Sequence, residues 1–195
     1  MHTISKSIVK YYIENGCLEK EKTELYVYSL ERRLQTVIGM AAIIMIGTIL
    51  FDFISVLLFV LSFKLLRECT GGYHLKSNMS CIIWSSIVMV LSIFISKLIF
   101  NNTVIAIITL SISIAIILIY APVNHPNMNW NSKEFQIVRI YMHKRLIYVL
   151  ISIIFCNSIC AISHYSSILI SSIFFVSLTV LLAKLLRQEV KKNEH

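Results

Sequence analysis

The chain has 195 residues, of which 57% are apolar, with a formal charge of +8 and a mean hydropathy of +0.77. That leaves too little polar surface to coat a soluble globule of this size, so a bilayer must supply part of the solvent. Nucleic acid is excluded as the partner of the positive charge, because the cations flank apolar runs instead of clustering on a polar face interleaved with aromatics.

Residues 1–35 are charged and rhythmic. Ile4, Ile8, Tyr11 and Tyr12 share a helical face, with Lys6 and Lys10 elsewhere around it. No basic start, short apolar run and small-residue cleavage site occur in order, so no cleaved signal peptide is expected. From Glu21 to Gln35, Leu25, Tyr28 and the Arg32–Arg33 pair precede the first apolar run as a juxtamembrane anchor would. A solvated amphipathic helix is the plainer reading of the same pattern.

Six apolar segments follow: Thr36–Phe51, Phe53–Leu66, Ser80–Phe100, Val104–Tyr120, Leu146–Ile162 and Ser167–Leu186. Only 2 prolines and 5 glycines interrupt the chain, and continuous helices satisfy their backbone groups internally where water is absent. Runs such as Ile105–Ile119 lack the alternation of a membrane β-barrel. The expected class is all-α, a polytopic transmembrane helical bundle.

The first two segments are short for a crossing, which takes about 20 residues. Separated by Asp52, they form either a hairpin of thin spans or one long bent segment, giving six spans or five. Charge favours six. With the amino terminus in the cytoplasm, the regions 1–35, 67–79, 121–145 and the tail, counted with the adjoining helix ends, hold every Lys and Arg except Lys97. Both termini are then cytoplasmic. A re-entrant first segment would instead leave four full spans plus shorter segments. The organisation expected is an amino-terminal amphipathic region 1–35, a transmembrane domain 36–186 with polar loops 67–81 and 121–145, and a basic tail 187–195. No repeat suggests the inverted halves of a transporter.

The richest polar stretch of the apolar part runs from Arg67 through Glu68, Cys69, Gly71, Gly72, His74 and Asn78 to Cys81. Paired glycines permit positive φ or a close backbone approach just before a histidine. Cys81 opens the next apolar helix, where unpaired N–H groups favour a thiolate. On one straight helix His74 and Cys81 would face the same way but stand about 10.5 Å apart. A bend between them would allow an imidazole–thiol dyad, with Glu68 or Asn78 orienting the ring. Two other readings stay open. The loop can be a plain connection in a non-enzymatic transporter or sensor. Cys69, His74 and Cys81 can also be metal ligands, but their spacings are irregular and no fourth ligand is near, so neither a metal nor a cofactor is expected. Cys156 and Cys160 read as small apolar side chains.

The pattern Arg67-x3-Gly71-Gly72-x-His74-x6-Cys81, set among apolar spans and followed by a Tyr120-Ala121-Pro122 turn, resembles the AgrB family of membrane endopeptidases. The resemblance covers most of the chain. It implies that Cys81 is the nucleophile and His74 its base, that Gly71 and Gly72 shape the loop, and that Arg67 matches the basic residue before them. It further implies cleavage of an AgrD-like quorum-sensing propeptide through a thioester, followed by closure to a thiolactone or lactone. A homodimer in the cell membrane with its site facing the cytoplasm is also implied. Where many relatives carry Pro-Asn-Lys-Pro, this chain reads Pro126-Asn127-Met128-Asn129, so the roles of that lysine and last proline do not transfer. Lys133, Arg139, Lys144 and Arg145 suit contact with anionic lipid or, less readily, an acidic precursor tail.

Overall fold

A computed structural model describes residues 2–72, 78–124, 130–159 and 163–186. Its elements are α1 (His2–Glu14), a short 3-10 turn (Lys20–Lys22), α2 (Thr23–Leu50), α3 (Phe53–Thr70), α4 (Asn78–Asn101), α5 (Thr103–Tyr120), α6 (Ser132–Ser158) and α7 (His164–Leu185). The described residues are thus all-α, as expected. The chain divides into two compact units, Met1–Ile46 and Gly47–His195.

In the first unit α1 buries Ser5 and Val9 and leaves Ile4, Tyr11 and Tyr12 exposed. The tyrosine face therefore points outward. The charged stretch and first apolar segment, read separately in the sequence, form one 28-residue helix. No proline or glycine stands near Arg32–Arg33 to break it.

In the second unit Phe51 and Asp52 separate α2 from α3, so the first two apolar segments are two helices and not one bent one. The Asp52 carboxylate accepts the Ser55 N–H at 2.8 Å and caps α3. Burial by itself would raise this carboxyl, but the Ser55 hydrogen bonds, with nearby His164, outweigh it and hold it below the ordinary carboxylate value.

Helix α7 runs through the middle of this unit, packed on α3, α4, α5 and α6. Its apolar side chains Ile173, Val176, Val180 and Ala183 join Leu66, Ile117, Val123 and Met142 in the core. Serines line the seams. Ser62 donates to Ser172 at 2.8 Å and Ser92 meets Ser171 at 2.7 Å, because small residues let helices approach where lipid offers no hydrophobic drive to associate. On α5 the arrangement is the reverse of a soluble helix: Ser113 and Ile117 are buried, while Val104, Ile107, Ile108, Ile112 and Ile119 are exposed.

Four helical stretches are long and apolar enough to cross a membrane: Lys20–Leu50, Ile82–Asn101, Thr103–Tyr120 and His164–Leu185. Helix α3 ends in the charged residues Lys64, Arg67 and Glu68, and α6 begins with Lys133, Glu134 and Arg139 before its apolar part. Their uncharged parts, 53–63 and 146–158, are shorter than those of the four.

Candidate active site

The loop after α3 is built from its own glycines. Gly71 and Gly72 carry φ of +68° and +112°, conformations that side-chain-bearing residues rarely adopt. Both are buried. A Cβ on Gly71 would strike the Val123 carbonyl oxygen, and one on Gly72 would strike the Arg67 guanidinium and come within 3.1 Å of the Thr179 carbonyl oxygen. The glycines therefore serve both backbone conformation and close approach.

Several groups brace this turn. Arg67 Nη1 donates to the Gly71 carbonyl. The Val123 N–H donates to the Thr70 carbonyl at 2.9 Å, tying the α5–α6 connection to the end of α3. Glu68 meets two cations, Arg145 Nη1 at 2.8 Å and Lys64 Nζ at 3.9 Å. Cys69 is buried just past the apolar stretch. A thiol buried among apolar side chains in this way is a poor nucleophile.

Helix α4 begins at Asn78, which puts Cys81 in its first turn. Its opening N–H groups have no carbonyl four residues back within the helix. His74 and the side chains of Asn78 and Cys81 lie outside the described residues, so the expected dyad geometry is neither drawn together nor separated. Arg67, Glu68, Gly71 and Gly72 are brought together at the end of α3. The sequence reading missed two partners of that turn, Val123 and Arg145.

The second polar loop is shorter than the expected 121–145. Asn124 and Trp130 close it with a pair of hydrogen bonds, Trp130 N–H to Asn124 Oδ1 at 3.0 Å and Asn124 Nδ2 to the Trp130 carbonyl at 3.2 Å. Asn131 and Glu134 then form a reciprocal capping box that starts α6 at Ser132, fourteen residues before the expected Leu146. The Asn-x-x-Glu spacing was the available signal.

A concavity of about 540 Å³ lies at the opposite end of α3 from the Gly71–Gly72 turn. Asp52, Ser55, Ser96, Lys97, His164 and Ser167 line it, drawn from the starts of α3 and α7 and the end of α4.

The model of the accessory gene regulator B family, AgrB, matches residues 5–182. The chain belongs to the AgrB family. Neither a curated protein nor a solved structure matches it. The match spans most of α1 and of α7 and all between them, so AgrB membership covers both compact units and the braced turn alike.

Proposed function

We propose that this AgrB-family protein is a cysteine endopeptidase of the cell membrane that cuts an AgrD-like propeptide and promotes its cyclisation. The observation that carries the reading is the family match over residues 5–182, joined to the placement of Cys81 in the first turn of α4 soon after a braced Gly71–Gly72 turn. His74 takes the proton of the Cys81 thiol, and the sulfur attacks the scissile carbonyl carbon. The tetrahedral oxyanion is held by the unpaired N–H groups that open α4. Its collapse breaks the C–N bond, and the imidazolium returns its proton to the leaving amine.

The thioester keeps the acyl group reactive. A thiol or hydroxyl of the same peptide then gives its proton to His74 and attacks the thioester carbonyl, expelling the Cys81 thiolate and closing a thiolactone or lactone. A nucleophile within the peptide gains a large effective concentration over external ones. Arg67, Glu68, Gly71, Gly72 and Asn78 form the supporting loop of the dyad. A homodimer is the assembly proposed, in contact with membrane lipids.

For topology, α2 to α7 supply six membrane segments. The connections at Phe51–Asp52 and Asn102, with that after α6, face outward, and both termini face the cytoplasm. The described Lys and Arg of α3, α6 and α7 lie at the ends nearest the Gly71–Gly72 turn, whereas Lys97 lies at the other, which supports this orientation. Residues 1–35 form the juxtamembrane part, 36–186 the membrane domain and 187–195 the tail.

The purified protein in liposomes, given the propeptide and followed by mass spectrometry, tests the reading. Cys81→Ala and Cys81→Ser are expected to abolish cleavage while inserting normally, and Cys17→Ala and Cys160→Ala to leave it intact. A released product lighter than its linear counterpart by the mass of water marks ring closure. Undiminished cleavage by Cys81→Ala would sink the mechanism. No cleavage by the parent protein would favour a non-enzymatic transporter or sensor instead.

A further inference from the structure

Arg145 reads in the sequence as one of several juxtamembrane bases suited to lipid. Its side chain turns inward instead. One guanidinium nitrogen, Nη1, donates at 2.8 Å to the Leu65 carbonyl and at 2.8 Å to Glu68 Oε2. Both acceptors belong to the last turns of α3, immediately before the Gly71–Gly72 turn. The partners are 80 and 77 positions away in the chain, so this contact joins α6 to α3.

Its purpose is not bulk stability. The Arg145 and Glu68 side chains remain 28% and 49% exposed, and an ion pair so open to solvent contributes little to folding. Location is what distinguishes it. Between Leu65 and Gly71, α3 is held from α6 by Arg145, from the α5–α6 connection by Val123, and from its own last turns by Arg67. Guanidinium suits the task, since the two N–H groups of one planar nitrogen can meet a carbonyl and a carboxylate together.

We propose that Arg145 is a positioning residue of the catalytic site: it fixes the end of α3 so that the glycine turn delivers His74 to Cys81. The proposal rests on the reading of those two residues as a dyad. The role proposed for Arg145 involves no contact with the propeptide or the reacting atoms. It acts through the backbone that leads to them.

The test uses the full-length protein in neutral and in anionic liposomes. Two quantities are measured: steady-state cleavage of the propeptide, and the pH profile of Cys81 alkylation by iodoacetamide, read by peptide mapping. Arg145→Ala is expected to lower kcat by about 10- to 100-fold with KM nearly unchanged, because misplacing a catalytic group by an ångström costs that much. The loss should appear in both liposome types. The alkylation profile should move to higher pH as the thiolate loses its imidazole. Arg145→Lys should recover part of kcat, and Glu68→Gln, which keeps an acceptor, should lose less than Arg145→Ala. Should Arg145→Ala fail to insert, Arg145→Lys carries the same comparison, with a smaller loss confined to kcat. A rise in KM at constant kcat, a loss confined to anionic liposomes, or an unmoved alkylation profile overturns the proposal. Cleavage that survives Cys81→Ala in the parent protein condemns the dyad itself, a separate result.

Discussion

Alanine at position 71 or 72 must carry a Cβ into space already occupied. At Gly71 the obstacle is backbone, the Val123 carbonyl; at Gly72 it is the Arg67 guanidinium, with the Thr179 carbonyl close behind. Each residue also holds a positive φ, and a side chain in such a sparsely populated region costs about 1–3 kcal/mol. Gly71→Ala is therefore expected to cut propeptide cleavage at least tenfold, a loss of roughly 1.4 kcal/mol, while membrane insertion persists. Gly72→Ala should be milder, because the Arg67 side chain can move where the Val123 backbone cannot. Equal activity for Gly71→Ala and the parent would show that the turn can shift without consequence to the site. The paired glycines were legible in the sequence as a conformational signal. What they make room for was not, since Val123 and Thr179 are remote in the chain.

Among the elements, α3 depends on its cap. Asp52 satisfies the Ser55 N–H at the helix start, and replacing such a cap by alanine typically costs about 1 kcal/mol. Asp52→Ala should lower the thermal midpoint of the purified protein at neutral pH, and Asp52→Asn should lower it less. Because the folded carboxyl titrates below its ordinary value of 3.8, its stabilising contribution is complete above that pH. It fades as the pH falls through the depressed value. The penalty of Asp52→Ala relative to the parent should therefore shrink in acid below about pH 4, and a penalty constant down to pH 2 would contradict the assignment. Asp52 was visible in the sequence as a break between apolar runs. The early start of α6 was visible too, in Asn131 and Glu134, but the basic residues behind them drew the reading toward a loop.

For the whole molecule the proposed sidedness gives a direct prediction. In an otherwise cysteine-free background, Asn102→Cys and Ser163→Cys should react with a membrane-impermeant maleimide added to intact cells. Lys184→Cys should react only after the membrane is opened. Labelling of Lys184→Cys from outside would reverse the orientation or the span count.

Composition and the length of the apolar runs by themselves determined that the chain is helical and suited to a bilayer, because both follow from local hydropathy and backbone satisfaction. They also determined where most helices lie, and the spacing of Arg67, Gly71, Gly72, His74 and Cys81 pointed to the family. Only the tertiary structure decided that Arg145 and Glu68 meet, that Val123 holds Thr70, and that the serines of α7 find partners on α3 and α4. Those contacts join positions tens of residues apart, and which side chains meet depends on helix rotation and packing, quantities that no local pattern in a chain encodes.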